Sequence, residues 1–258
     1  MTDALAAIAA DWELVLGEPY VQGAAGYTTR AERADGTPVV LKLIHPHRES
    51  EQEADALERW DGDGAVRLLA RDDARHAILL ERCEPGEPLA AAADDPLGVL
   101  IELLPRLWKP ADGFRTLAEE ARHWLEDGDL ARMPPHPFRD AAASLLRELA
   151  PTQGEPVLLH QDLHGDNVLS AEREPWLVID PKPLAGEREF QVAPIVRSFE
   201  LGHSKRDALY RLDRLCSELG LDRERARGWT IAQTMAWSYE SDFIDTHLET
   251  VGWLLEDA

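Results

Sequence analysis

An α+β fold of two lobes is what the sequence predicts: a small antiparallel β lobe with one helix, then a larger, mainly helical lobe. Three observations carry this. Short strand-like runs crowd the first 82 residues, bounded by Gly, Pro and Asp turns. A break rich in proline and glycine, Cys83-Glu-Pro-Gly-Glu-Pro88, follows them. Beyond it the apolar spacing turns helical, apart from one strand pair within residues 157–180. The expected boundaries are 1–83 for the first lobe, 84–88 for a hinge and 89–258 for the second.

In chain order, an amphipathic helix is expected over about 3–13. Strands follow at Leu14 to Leu16, Tyr27 to Arg33, Pro38 to Ile44, Ala65 to Ala70 and His76 to Arg82. Asp35-Gly36 between two extended runs is the strongest hairpin signal in the chain. One helix, about 47–60, interrupts the strands, with Glu49, Glu51 and Glu53 near its start as the helix dipole favours. After the break, helical spacing predicts helices near 96–108, 114–126, 138–149, 188–200, 205–219 and 223–248. Val157 to Leu159 and Trp176 to Ile179 read as buried strands.

Composition narrows the function. With 27 Lys+Arg against 49 Asp+Glu the net charge is −22, a field that repels nucleic acid and anionic membranes and draws cations. No apolar run is long enough to span a bilayer. The first residues lack the basic start of a signal peptide, and two distant cysteines, Cys83 and Cys216, fit reduced thiols, so a cytoplasmic protein is expected, as a monomer or weak dimer.

The chemistry concentrates in residues 157–180. His160, Asp162 and Asn167 reproduce the spacing of a kinase catalytic loop, in which an Asp lies two residues after a His and five before an Asn. The carboxylate orients an acceptor hydroxyl and takes its proton, and the amide oxygen helps to hold a metal. A second metal carboxylate is expected at the end of the next strand, where Asp180 stands. Phosphate positioning asks for a cation on the third strand, and Lys42 is the only lysine in the first 100 residues. Glu53 is the expected partner, because Glu53, Ala56, Leu57 and Trp60 share a helical face. Gly23-Ala-Ala-Gly26 is the candidate loop over the phosphates, and the backbone at Glu81 and Cys83 is the candidate adenine contact.

His160-Gln-Asp-Leu-His-Gly-Asp-Asn-Val-Leu169, followed by Ile179-Asp-Pro-Lys-Pro-Leu-Ala-Gly-Glu-Arg-Glu-Phe190, resembles the aminoglycoside phosphotransferase superfamily, and within it the streptomycin 6-kinase and hydroxyurea phosphotransferase branch. Stretches 60–69, 79–82 and 219–229 are similar to the same branch, so the likeness spans about residues 14–237. The resemblance implies a protein-kinase-like fold and Mg²⁺-dependent transfer of the γ-phosphoryl group of ATP, or GTP, to a hydroxyl of a small molecule, in many members an antibiotic. By motif position Asp162 is the base, Asn167 and Asp180 hold Mg²⁺, Lys42 contacts the phosphates and Glu53 orients Lys42. Where the family commonly has Asp after Phe190, Gln191 stands here; a changed structural contact with catalysis spared is expected.

For the acceptor, the last 31 residues carry six acids and no Lys or Arg, which suits a small cationic or polyhydroxy substrate. Glu187, Glu240 and Asp242 are candidate contacts. Two readings of other classes remain: a metal-dependent hydrolase using His160, Asp162, His164 and Asp166, and an inactive nucleotide-binding module. Hydroxyurea or an endogenous metabolite is the alternative acceptor.

Overall fold

The computed structural model describes residues 2–20, 26–239 and 241–257. The chain divides into two compact units. One comprises residues 1–87 with 169–182, and the other 88–168 with 183–258.

The first unit is built on a five-stranded antiparallel sheet of β1 (Leu14–Pro19), β2 (Gly26–Arg33), β3 (Pro38–Ile44), β4 (Leu68–Asp72) and β5 (Ala77–Glu81), in the order β1-β2-β3-β5-β4. Asp35 and Gly36 close the hairpin as expected: Gly36 has φ +84°, and the Thr37 N–H donates to Asp35 Oδ1 at 2.9 Å. Alternation along β3 sends Val39 and Leu41 into a core with Ala31, Ala77, Leu79 and the residues Leu5 and Ile8 of helix α1 (Thr2–Asp11). The same alternation places Lys42 on the opposite face. Gly26 at the start of β2 is required by close approach, since a Cβ there would lie 2.2 Å from the Leu43 carbonyl oxygen.

Helix α2 runs from Glu53–Trp60 and not from residue 47. The Ser50 hydroxyl donates to the carbonyls of His45 and His47, at 2.9 and 3.1 Å, and ties the preceding residues into turns. The fourth strand starts later than expected, at Leu68, because Ala65 and Val66 pair elsewhere: Ala65 bridges Val178, and the Val66 N–H donates to the Val178 carbonyl at 3.0 Å.

That pairing explains the main departure from the expected domain plan. Residues 169–182, expected to belong with the helical lobe, pack with the first unit. Arg173 holds them there. Its guanidinium binds both Glu81 carboxylate oxygens, at 2.7 and 2.9 Å, and the carbonyls of Gly62 and Ala65, each at 2.9 Å. The expected hinge is itself a strand, Pro85–Pro88, in a three-stranded sheet with Val168–Ala171 and Trp176–Val178.

The second unit is mainly helical, with one antiparallel strand pair of Val157–Leu159 and Leu184–Gly186. Its helices include Pro96–Leu107, Leu117–Glu126, Pro137–Leu149, Lys205–Leu219, Arg223–Ala236 and Ile244–Leu255. The helix expected from 114 starts at Leu117 because Thr116 and Glu119 form a capping box. The helix expected over 188–200 is two short ones, Arg188–Gln191 and Ala193–Val196, the second with Pro194 in its first turn. That expected over 223–248 breaks after Ala236 and resumes at Ile244. Apolar spacing continues across both breaks and so hides them. Arg223–Ala236 is the central helix: Trp229 is fully buried and meets the Phe190 ring edge-on at 5.4 Å, and Phe190 stacks on Trp124 at 6.1 Å.

Candidate active-site residues

In the first unit, Lys42 and Glu53 meet as expected. Lys42 is 6% exposed and Glu53 1%, and Lys42 Nζ lies 2.7 and 2.8 Å from the two Glu53 carboxylate oxygens. Asp180 Oδ1 also accepts from Lys42 Nζ. Burial alone pushes the Lys42 ammonium toward deprotonation, but the carboxylates of Glu53 and Asp180 together outweigh it and raise its pKa. Burial pushes the Glu53 carboxyl up and Lys42 opposes that. With both its oxygens on the ammonium, the pair is ionic.

Asp180 follows the strand Trp176–Val178 and has φ +55°, a left-handed backbone that a non-glycine residue holds only against strain. Lys182 Nζ lies 3.8 Å from its other carboxylate oxygen. Glu81 ends β5, and Cys83 lies two residues beyond it. The Glu81 N–H already donates to the Arg67 carbonyl at 3.0 Å, and its side chain is taken by Arg173. The Cys83 thiol is free, and burial pushes its pKa up to about 12. Gly23 lies outside the described residues.

In the second unit the loop from His160 to Asn167 is gripped from several sides. His160 is fully buried and its ring braces the loop, Nδ1 accepting from the Asp162 N–H at 3.3 Å. The His160 N–H donates to Gln191 Oε1 at 2.6 Å. Gln161 takes φ +64°, and its carbonyl accepts from Gln233 Nε2 at 2.7 Å. Asn167 Nδ2 donates to the Asp162 carbonyl at 2.8 Å, which turns its Oδ1 the other way. Arg197 Nη2 stands 3.9 Å from Asp162 Oδ1. His164 Nδ1 pairs with Glu200 Oε1 at 2.9 Å, holding the Glu200 pKa at about 2 against burial. Among the described residues, the one group of three able to share a metal ion is His164, Asp166 and Glu200. The four-residue set expected of a hydrolase is therefore not brought together, since His160 is turned inward and Asp162 stands outside that group.

Glu187, expected as an acceptor contact, is turned inward. It is 2% exposed and its carboxylate is fully engaged: Arg225 Nη2 at 2.7 Å, the Gly154 N–H at 2.9 Å and the Trp229 Nε1–H. Of the tail acids, Glu249 pairs with His203, Glu256 with Lys205 and Asp257 with Arg223. Asp242 is exposed, and Glu240 lies outside the described residues. Arg197, Gln233, Glu200 and Arg173 were not singled out from the sequence. Gln233 carried the clearest signal, the one amide in a helical run from Trp229 to Ala236 whose other residues are apolar or threonine.

No helix among the described residues is long and apolar enough to cross a membrane. The family model for aminoglycoside/hydroxyurea antibiotic resistance kinases matches residues 12–241. The chain is 40% identical over 249 residues to the hydroxyurea phosphotransferase of Kitasatospora aureofaciens, with 89% of this chain and 70% of that one covered. It is 40% identical over 246 residues to the streptomycin 6-kinase of Streptomyces griseus, with 89% and 80% covered. Among solved structures it resembles the choline kinase LicA from Streptococcus pneumoniae, with a TM-score of 0.69, 15% identity and 99% and 97% of the two chains covered. It also resembles the aminoglycoside phosphotransferase APH(4)-Ia, with a TM-score of 0.65, 14% identity and 99% and 96% covered. These likenesses bear out the α+β, kinase-like fold and make the chain a phosphotransferase. The match over residues 12–241 and the two relatives at 40% identity show that it belongs to the aminoglycoside/hydroxyurea antibiotic resistance kinase family.

Proposed function

We propose that this chain transfers the γ-phosphoryl group of ATP to a hydroxyl of a streptomycin-like aminoglycoside, as a cytoplasmic resistance kinase. The observation that carries the reading is the buried Lys42, clamped by both oxygens of Glu53 and touching Asp180. A fixed, desolvated ammonium beside a carboxylate is what phosphate positioning requires, and a hydrolase has no use for it. The excess of acids and the relatives named streptomycin 6-kinase favour a cationic acceptor.

The roles follow from chemistry. Asp162 orients the acceptor hydroxyl and takes its proton at a carboxylate oxygen as the new bond to phosphorus forms. Lys42 contacts the nucleotide phosphates, Glu53 orients Lys42, and Gly26 with the backbone near Cys83 serves the nucleotide. By motif position the Asp180 carboxylate and the Asn167 amide oxygen would hold Mg²⁺, and both are the hard oxygen ligands that this ion takes. When bound, the ion neutralises charge on the phosphates. A second reading, phosphorylation of hydroxyurea, rests on the relative of that name.

The test is release of ADP from ATP, or of GDP from GTP, with Mg²⁺ in the presence of streptomycin, a panel of other aminoglycosides, and hydroxyurea. Streptomycin-dependent release, abolished by Asp162→Asn with nucleotide binding retained, is the expected result. Release with hydroxyurea alone moves the assignment to the second reading, and turnover unchanged in Asp162→Asn removes Asp162 as the base.

A further inference from the structure

We propose that Arg197, anchored by Gln233 and Trp237, is the positioning residue that aims the Asp162 carboxylate; the inference rests on Asp162 being the base. Arg197 follows the helical turn Ala193–Val196 and is only 9% exposed. Its guanidinium is placed on three sides. Nη1 donates to Gln233 Oε1 at 3.0 Å, the guanidinium carbon lies over the Trp237 ring at 4.8 Å from the centroid, and Nη2 stands 3.9 Å from Asp162 Oδ1. A buried arginine needs charge compensation, and Asp162 supplies a carboxylate at ion-pair distance.

Gln233 ties this cation to the loop that it serves. One end of its amide holds the Arg197 guanidinium and the other donates to the Gln161 carbonyl, one peptide before Asp162. Gln191 grips the Leu159–His160 peptide through the His160 N–H, and Asn167 grips the peptide after Asp162 through the Asp162 carbonyl. Three amides thus fix the backbone through the left-handed Gln161, while Arg197 fixes the direction of the side chain. A guanidinium can cover an indole and still present a nitrogen to a neighbour on each side, which is why a lysine does not suffice. A base held off its line by about 1 Å costs on the order of 10²-fold in rate.

The experiment is steady-state phosphorylation of streptomycin by Arg197→Ala and Arg197→Lys, with ethylguanidine added to the alanine variant. Expected for Arg197→Ala is a kcat about 10²-fold lower with KM for ATP and streptomycin within about threefold, and partial recovery with ethylguanidine. Arg197→Lys keeps the charge without the fork and is expected to lose about 10-fold in kcat at unchanged KM. A purely structural role moves the melting temperature and the active fraction, and ethylguanidine does not restore it. If Arg197→Ala does not fold, Arg197→Lys decides. Wild-type kcat in the lysine variant, or a folded alanine variant that is either fully active or deaf to ethylguanidine, overturns the inference. Asp162→Asn separates the two levels: if it turns over at the wild-type rate, the base assignment itself fails; if it is inactive while both Arg197 variants keep full kcat, only the role of Arg197 falls.

Discussion

Replacing Lys42 by methionine keeps the length of the side chain and removes its charge, and the structure sets the consequence. Glu53, at 1% exposure, loses the ammonium that faces both its oxygens, whereas Asp180, with a side chain 31% exposed, retains access to water. Stranding one charge of a buried pair costs roughly 3–5 kcal/mol, against a total stability of about 5–15 kcal/mol for a typical domain. Lys42→Met therefore lowers the stability of the first unit by about 3–5 kcal/mol at pH 8, and adding Glu53→Gln returns most of it. The pH dependence has a definite sign. Burial already raises the Glu53 carboxyl, and without Lys42 the largest opposition to that rise is gone, leaving the weaker pull of Lys182. A carboxyl whose folded pKa lies above its unfolded value loses stability as pH rises, so the deficit of Lys42→Met shrinks between pH 8 and pH 5, by at most about 1.4 kcal/mol per pH unit. Urea unfolding followed by the fluorescence of the eight tryptophans, Trp60 at the end of α2 among them, measures this. A single variant within about 1 kcal/mol of wild type at pH 8, or a double variant no more stable than the single, would refute the account of a desolvated ion pair. The double variant is expected to be folded and inactive, which separates the stabilising role of the pair from phosphate positioning.

Three further outcomes are expected. Glu187→Ala strands Arg225 and the Trp229 indole N–H and is expected to cost about 3–5 kcal/mol in thermal unfolding while leaving the acceptor KM of the folded enzyme unchanged; a raised KM at wild-type melting temperature would return Glu187 to the acceptor site. His247 is buried and held near a pKa of about 4 by burial and by Arg197, so the unfolded chain takes up its proton first as pH falls. Stability is thus lost between about pH 6.5 and 4, by up to about 3 kcal/mol, and His247→Phe is expected to flatten the melting profile over that range. Gly186→Val drives a Cβ to 2.8 Å from Leu117 Cβ, and a loss of about 1–3 kcal/mol in urea unfolding is expected; an unchanged midpoint would show that the helix Leu117–Glu126 yields freely.

The sequence by itself determined the features that depend on local spacing. The His160, Asp162 and Asn167 pattern, the strand Pro38–Ile44 with Lys42 in its alternation and the helical face bearing Glu53 were all legible, because period and turn chemistry are written into neighbouring residues. What only the tertiary structure decided are pairings across long stretches of chain. Arg173 draws residues 169–182 to Glu81 and Gly62, Glu187 turns inward to Arg225, and Gln191, Gln233 and Arg197 converge on residues 160–162. A carboxylate met in sequence carries no mark of whether it faces water or a guanidinium. That depends on which distant cation the fold delivers to it, and the cost of leaving a buried charge unpaired makes the difference between a substrate contact and a brace.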